Sequence, residues 1–329
     1  MTGSNEQVER IALIREEPVD SGRRIIDAHH HLWGEGQGLG GGPAYLHTNL
    51  LADMAGHNIV GTVYVECGVA FRPDGPEHLR AVGETDFAAS EAKKSAATRA
   101  PILGIVANTD LALGDLVQEV LDAHAEAGNG LFRGIRQLPG GGGRPPRDLL
   151  GESAFRDGVA LLGRNGYSLD SFIMSTQLTQ LSHLAQAVPD TVLIVNHLGM
   201  PVFRPDEGSR DAVMAVWRGG INAIAGCPNV YVKIGGIGMD SMFGMGWSKR
   251  ELPPTSEEVV AWWGDDIRYC IDTIGPDRCL FESNFPVDRW CMNYTVLWNA
   301  FQKIAGHYSD AEQDALFSGT AQRAYRLEL

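Results

Sequence analysis

The sequence has little of what marks a membrane, secreted or nucleic-acid-binding protein. Its 329 residues contain no apolar run long enough to span a bilayer. The polar start Met1–Gln7 lacks the basic and apolar parts of a signal peptide. The five cysteines are scattered without a C-x-x-C pair, which favours reduced thiols over a disulfide framework. A formal net charge of −14 disfavours nucleic acid and anionic membranes as partners. We expect a cytoplasmic protein that acts on a small molecule, with homo-oligomerisation left open.

Short apolar strands alternate with helical stretches along the chain. Examples of the predicted strands are Gly61–Cys67, Leu131–Gln137 and Thr191–His197. Eight such strands, each followed by a helix, predict a parallel sheet closed into a (β/α)₈ TIM barrel of the α/β class. No G-x-G-x-x-G follows the first strand, which disfavours a doubly wound sheet. We predict one barrel domain over residues 23–329, preceded by an N-terminal tail or arm over residues 1–22.

Three consecutive histidines follow the first predicted strand, in the stretch Arg24–Trp33. Because side chains alternate along a strand, Asp27, His29 and His31 are expected on one face. Imidazoles at such a place can bind a metal, polarise a carbonyl or transfer a proton. A histidine-rich strand end that only caps the sheet is the alternative, and the short His-x-His pattern does not decide between them.

Polar residues also end the other predicted strands, where such a barrel carries its active site. These residues are Glu66, Arg136, Asp170, His197, Lys233, Glu282 and Asn284. His197 ends an apolar strand and is expected to face His29 and His31 across the barrel mouth. Two interpretations of the charged residues stay open. In the first, Asp170 and Lys233 have a catalytic role. In the second, Lys233 and Arg136 neutralise the acids in an internal salt-bridge network.

Several segments resemble the amidohydrolase superfamily, and within it the lactonase-like branch of 2-pyrone-4,6-dicarboxylate lactonase and sugar-acid lactonases. In chain order they are Ile26–Trp33, Thr62–Cys67, Phe132–Arg136, Val195–Gly199, Tyr231–Gly235, Phe281–Asp288 and Leu316–Tyr325. Metal-dependent members carry the His-x-His pair, a fourth-strand lysine or acid, fifth- and sixth-strand histidines and an aspartate ending the eighth strand. This chain has the pair and His197, but no fifth-strand histidine, and Asn284 stands where the aspartate is expected. The lactonase branch is understood to manage without metal, and these residues agree with that.

We therefore predict a hydrolase that opens a lactone or related cyclic ester, of a carboxylate-bearing or polyhydroxylated molecule, without an obligatory metal. Three histidines would donate hydrogen bonds to the carbonyl and would hold Zn²⁺ or Mn²⁺ if a metal is bound: His29, His31 and His197. Arg136 would anchor a substrate carboxylate. Because an amide cannot act as a base, Glu66, Glu282 or Asp288 is expected in that role, with Asn284 orienting the water or the substrate.

The other expectations concern substrate contacts and alternatives. Tyr45, Asp170 and Lys233 are further candidates for substrate binding, and the glycine-rich loops Gly34–Tyr45 and Gly236–Pro254 are candidate lids. One alternative is a metal-dependent amidohydrolase or decarboxylase with Zn²⁺ or Mn²⁺ on the three histidines. The other is a non-catalytic sugar-acid-binding protein that has lost its aspartate base.

Overall fold

Eight parallel strands form the centre of the computed structural model, which describes residues 5–38, 41–138, 149–203 and 208–329. Each strand pairs with the next one along the chain, so the sheet order follows the sequence order. The strands are β1 (Ile25–His30), β2 (Ile59–Val65), β3 (Ile102–Asn108), β4 (Phe132–Gln137), β5 (Ser168–Ser171), β6 (Leu193–Val195), β7 (Val230–Ile234) and β8 (Cys279–Phe281). The predicted (β/α)₈ barrel is confirmed.

Helices alternate with these strands. They are α1 (Asn5–Ile11), α2 (His47–Asp53), α3 (Val82–Ser95), α4 (Leu116–Ala127), α5 (Ser153–Arg164), α6 (Leu178–Ala187), α7 (Arg210–Ala225), α8 (Asp240–Phe243), α9 (Ser256–Ile274), α10 (Tyr294–Ala305), α11 (Asp310–Asp314) and α12 (Thr320–Tyr325). At the start of α9, the Thr255 side chain accepts a hydrogen bond from Glu258 N and caps the helix. None of the described helices has the length and apolar character needed to cross a membrane.

Several strands are shorter than their apolar patterns predict. The sixth, predicted to reach His197, ends at Val195, and the fifth and eighth end at Ser171 and Phe281. After β6 the backbone turns sharply, because His197, Leu198 and Met200 have φ values of 53°, 57° and 47°. This left-handed conformation is unfavourable for residues with a Cβ and breaks the strand. Hydrophobic periodicity carries no signal for such a turn.

Backbone hydrogen bonds bring the first and last strands together and close the barrel. Asn284 N donates to His29 O and His31 N donates to Phe285 O, both at 2.8 Å. The residues that follow β8 are therefore held directly against the histidines that end β1.

Asp27 joins this closure and not the histidine cluster, contrary to the strict alternation predicted for β1. Its carboxylate accepts hydrogen bonds from Ser283 N at 2.9 Å, Ser283 Oγ at 2.6 Å and the Tyr294 hydroxyl at 3.0 Å. The register of β1 against β2 shifts between Asp27 and His30, so the simple two-residue period fails here. Burial raises the pKa of Asp27 to about 6, against the effect of these donors.

Two predicted loops are only partly described. The glycine- and proline-rich loop Pro139–Pro146 lies outside the described residues, as do residues 39 and 40 of the Gly34–Tyr45 loop. The two ends of the Gly34–Tyr45 loop are joined by reciprocal backbone hydrogen bonds of 2.9 Å between Trp33 and Tyr45.

Residues 5–22 lie against the loops that follow β7 and β8. The Arg10 guanidinium donates to the carbonyl oxygens of Trp247 at 3.1 Å, Arg250 at 3.0 Å and Trp290 at 2.8 Å. One cation thus binds two loops that border the catalytic end of the barrel. The assignment of residues 1–22 as a separate arm stays a prediction.

Arg10→Ala should lower the melting temperature while the barrel remains folded, because three carbonyl groups lose a charged donor. We expect the free energy of unfolding to fall by roughly 1 kcal/mol, since Arg10 is only partly buried and solvent weakens its interactions. Arg15→Ala is the matched control, because Arg15 is exposed on the same segment. Calorimetry of the parent and the two variants measures the effect. An unchanged melting temperature for Arg10→Ala would show that the hydrogen bonds of Arg10 to the two loops do not stabilise the fold.

Candidate active site

Three imidazole rings meet at the carboxyl-terminal end of the barrel. His29 Nε2 lies 3.1 Å from His31 Nε2, and the ring centres of His29 and His197 are 4.8 Å apart. All three are buried. The bulge in β1 and the left-handed turn after β6 direct them to one place, as the sequence predicts for the histidines.

The hydrogen bonds of His31 define its protonation. His31 Nδ1 lies 2.8 Å from the Val65 carbonyl oxygen, which only accepts, so the proton sits on Nδ1. Burial, followed by the charge of Arg136, holds the pKa of His31 well below its usual range, so the ring is neutral. His31 Nε2 is then a lone-pair acceptor, which does not fit its predicted role as a donor to a carbonyl.

Glu282 lies behind two of the rings. Its Oε1 is 2.6 Å from His197 Nδ1 and its Oε2 is 2.7 Å from His29 Nδ1. The carboxylate is completely buried, and its Oε1 already accepts hydrogen bonds from the backbone and ring of His197. Glu282 is therefore poorly placed for its predicted role as the base that activates water.

Lys233 and Asp170 form a buried ion pair beneath the histidines. Lys233 Nζ is 2.8 Å from Asp170 Oδ1 and 3.2 Å from His29 Nδ1. The Tyr325 hydroxyl of α12 donates to both oxygens of Asp170, at 2.8 and 2.9 Å, and Asn196 Nδ2 donates to Asp170 Oδ1. Both charged side chains are fully buried, so the salt-bridge interpretation describes their contacts better than the predicted contact with substrate.

Arg136 is held by Glu66 in a second buried pair. Arg136 Nε donates to Glu66 Oε1 at 2.6 Å and its NH2 group donates to the Glu66 backbone oxygen. The Arg136 guanidinium, which was expected to anchor a substrate carboxylate, thus has most of its donors occupied by Glu66. The Glu66 carboxylate, which was a candidate base, is in turn bound to Arg136. The NH1 group lies 3.4 Å from His29 Nε2 and faces the histidine cluster.

Asn284 and Asp288 are linked on the other side of the cluster. Asn284 Nδ2 donates to Asp288 Oδ1 at 2.9 Å, which turns the amide oxygen toward His31 Nε2 at 3.2 Å. Asp288 Oδ2 accepts from Gly238 N at 2.8 Å, and burial raises the pKa of Asp288 well above its usual range. Asp288 contacts the amide and not the histidines, so it orients Asn284 more directly than it could activate a water.

Tyr45, predicted to contact substrate, uses its hydroxyl inside the protein. The hydroxyl donates to Asp53 Oδ2 at 2.7 Å, and the ring is buried with the Arg289 guanidinium 5.8 Å from its centre. In the other candidate lid, the Asp240 carboxylate accepts from Gly246 N at 2.6 Å and Ser248 N at 3.1 Å. Motion of either loop stays a prediction.

Two sets of donor atoms come close enough to be considered for a metal ion. His29, His197 and Glu282 are clustered, but their contacts of 2.6 and 2.7 Å are hydrogen-bond lengths that leave no space for an ion between the atoms. His31 Nε2 lies 3.1 Å from His29 Nε2 and 3.2 Å from Asn284 Oδ1, and each separation suits a pair of ligands about 2.0–2.2 Å from one divalent ion. Of the two sets, the second has the spacing that such an ion requires between neighbouring ligands.

Sequence patterns missed the partners that fix these side chains. The Val65 carbonyl, the Tyr325 hydroxyl and Gly238 N are contacts that residue type does not reveal. They also missed a cavity of about 580 Å³ between the loops after β2 and β3, lined by Phe71, His78, Arg80, Asn108, Asp110 and others. Asn108 Nδ2 donates to the Arg136 carbonyl oxygen, which connects one wall of this cavity to the site.

Comparison with proteins of known sequence supports the resemblance. The chain is 32% identical over 328 residues to protein y4mH of Sinorhizobium fredii, covering 92% of this chain and 98% of the relative. It is 26% identical over 182 residues to an L-fucono-1,5-lactonase of Burkholderia multivorans, covering 55% and 58% of the two chains.

Solved structures share the fold. An amidohydrolase from Burkholderia multivorans with bound zinc has a TM-score of 0.72 at 24% identity, covering 92% of this chain and 99% of that one. A Pseudomonas putida protein assigned as a 2-pyrone-4,6-dicarboxylic acid hydrolase has 0.65 at 18%, covering 93% and 98%. The 2,6-dihydroxybenzoate decarboxylase from Rhizobium has 0.58 at 13%, covering 93% and 99%.

The family assignment rests on the match of the sequence as a whole. The model of the amidohydrolase family matches residues 26–327, from the first strand of the barrel to the end of its last helix. The predicted resemblance is thereby confirmed, and the chain belongs to the amidohydrolase family.

Proposed function

We propose that this chain is a hydrolase that opens a lactone, or a related cyclic ester, of a polyhydroxylated small molecule without an obligatory metal. The observation that carries the proposal is the cluster of three histidines with the Arg136 guanidinium 3.4 Å from His29 Nε2. Acyl transfer to water needs a base for the water and a donor for the carbonyl oxygen, and this cluster offers both. The similarity to an L-fucono-1,5-lactonase supports the same reaction class.

In the proposed reaction, a water oxygen attacks the carbonyl carbon while His197 Nε2 takes one of its protons. The carbonyl π electrons move to the carbonyl oxygen, which accepts a hydrogen bond from the Arg136 NH1 group. Collapse of the tetrahedral intermediate breaks the bond between the carbonyl carbon and the ring oxygen. The ring oxygen takes the proton from His197, so that one lactone and one water give one hydroxy acid.

One of two acceptors can orient the attacking water, because a water molecule has two hydrogens and His197 takes one of them. His31 Nε2 and Asn284 Oδ1 lie 3.2 Å apart, and either can accept the second hydrogen through a lone pair. This role for Asn284 agrees with the expectation that an amide there orients water without removing its proton.

The charges at the centre favour an uncharged substrate. Among the described residues, Arg136 is paired with Glu66 and Lys233 with Asp170, while Glu282 adds a third carboxylate. Three carboxylates against two cations leave one excess negative charge. A carboxylate on the substrate would meet that charge without an unpaired cation, whereas hydroxyl groups would bind to these acceptors.

A metal-dependent amidohydrolase or decarboxylase is the second candidate, and it is favoured by the donor set of His29, His31 and Asn284. A divalent ion held there would act as a Lewis acid on the carbonyl or carboxylate of a substrate. Zinc is bound in a structural relative. Against tight binding, all three donors are neutral and the Arg136 guanidinium lies 3.4 Å from one of them.

Neutral sugar-acid lactones should be hydrolysed with a kcat/KM about tenfold or more above that of dicarboxylate pyrones, because of the excess negative charge. A panel of both classes, followed by proton release at constant ionic strength, measures this. A preference for the dicarboxylates would contradict the charge argument.

The same assay needs a matched pair of histidine variants. His197→Ala should lower kcat by roughly 10²–10⁴, the usual contribution of a general base, while His183→Ala on the exposed side of α6 should have no effect. Binding of sugar acids without turnover of any lactone would favour the non-catalytic alternative.

Activity should survive removal of metal, because Arg136 already provides a positive donor beside the histidines. Prolonged dialysis against a chelator, with metal content measured before and after, is expected to leave kcat within about twofold. Activity that is lost and then restored by Zn²⁺ or Mn²⁺ would establish the metal-dependent alternative.

Asn284→Asp should weaken substrate binding and make stability fall as the pH rises. The new carboxylate would lie beside Asp288, where Asn284 Nδ2 now donates at 2.9 Å, so the two acids would raise each other's pKa. Acids with a folded pKa above the unfolded value stabilise the fold below the unfolded pKa, and this stabilisation is lost as the pH rises through the folded pKa.

Melting temperature and KM of parent, Asn284→Asp and Asn284→Ala, measured from about pH 5 to about pH 9, test the effect of charge apart from the loss of the amide. A gain in turnover for Asn284→Asp with an unchanged KM would show that a carboxylate is better suited to this position.

A further inference from the structure

We propose that Glu282 is a positioning residue that fixes the tautomer of His197, so that this ring presents an unprotonated Nε2 to the active site. Its catalytic consequence rests on the proposed function, whereas the tautomer itself is a property of the free protein.

The contacts of the carboxylate carry the first step. Glu282 Oε1 lies 2.6 Å from His197 Nδ1 and accepts from His197 N at 3.2 Å, while Oε2 lies 2.7 Å from His29 Nδ1. The backbone N–H of His197 already donates to Oε1, so that oxygen is an acceptor, and the 2.6 Å contact places a proton on His197 Nδ1. With its single N–H at Nδ1, the His197 ring keeps the lone pair of Nε2.

His29 has a different partner at its Nδ1. Lys233 Nζ lies 3.2 Å from this nitrogen as a hydrogen-bond partner, whereas Glu282 Oε2, although 2.7 Å away, makes no hydrogen bond to it. Glu282 therefore fixes the tautomer of His197 and not that of His29.

Two glycines of the segment after β7 make room for this arrangement. A Cβ on Gly235 would lie 2.3 Å from Glu282 Cγ, and a Cβ on Gly236 would lie 2.3 Å from His197 Nδ1. Gly236 also has a φ of 64°, which other residues rarely adopt. The backbone thus packs against both members of the pair, and neither can shift away from the other.

This placement separates the carboxylate from the reacting water. The imidazole of His197 lies between Glu282 and the site, so the ring accepts the proton and the carboxylate orients and stabilises the ring. The same division of work between acid and imidazole operates in Ser-His-Asp triads on unrelated folds. It explains how the chain can lack an aspartate at position 284 and still present a base.

The test is the nitrogen NMR spectrum of the protein labelled with ¹⁵N in its histidines, at neutral pH and without substrate. His197, assigned with His197→Gln, should show the Nδ1–H tautomer. His47 provides an internal reference with the opposite tautomer, because its Nε2 donates to Ala100 O at 2.8 Å. An Nε2–H tautomer on His197 of the parent protein would overturn the proposal.

Glu282→Gln gives the second measurement. Its amide oxygen can still accept from the His197 backbone and ring, so this variant should keep the Nδ1–H tautomer, whereas Glu282→Leu removes the acceptor and should change His197 to the Nε2–H tautomer. On a lactone that the parent hydrolyses, kcat of Glu282→Leu should fall by about 10² or more with KM within a few-fold, and Glu282→Gln should recover part of the loss. An unchanged tautomer in a folded Glu282→Leu protein would overturn the proposal.

The two failures can be told apart. Absence of lactone hydrolysis with the Nδ1–H tautomer on His197 of the parent would remove the proposed function and leave the role of Glu282 in place. Hydrolysis together with the Nε2–H tautomer would do the reverse. If Glu282→Leu does not fold, the parent spectrum alone decides.

Discussion

Charge compensation in the buried interior is the constraint on which the rest of this site depends. Ionised groups that have lost their water need partners, and the barrel provides Arg136 for Glu66 and Lys233 for Asp170. Glu282 lies 3.9 Å from Lys233 Nζ through its Oε2, and its Oε1 accepts hydrogen bonds from the ring and the backbone of His197. The orientation of the histidines therefore depends on the buried charged residues that contact them. A substitution at one of these residues would change the hydrogen bonds of the others.

The fold could be predicted from the sequence because its signal is repeated. Eight apolar strands in alternation with helices leave few arrangements other than a barrel, so an error at one boundary does not change the result. The boundaries themselves depend on single dihedral angles. The left-handed turn at His197 and Leu198 ends β6 two residues early, and the bulge between Asp27 and His30 separates two residues that strict alternation had put together.

The site could be predicted in its members but only partly in their roles. Residue types at strand ends, together with the family resemblance, bring His29, His31 and His197 into one cluster. Their roles depend on partners that only the folded chain supplies, such as a backbone carbonyl that fixes one tautomer. Arg136 shows the same limit. Its residue type predicts a contact with a substrate carboxylate, but in the folded chain its guanidinium already donates to Glu66.

The contacts of Arg10 have a consequence for the order of folding during synthesis. The carbonyl groups that it binds lie 237 to 280 residues further along the chain, so a ribosome must deliver most of the barrel before the first helix can dock. Contacts of such long range are slow to form, because a large loop must close first. Residues 5–22 are thus made long before their partners and are among the last segments of the described chain to be fixed.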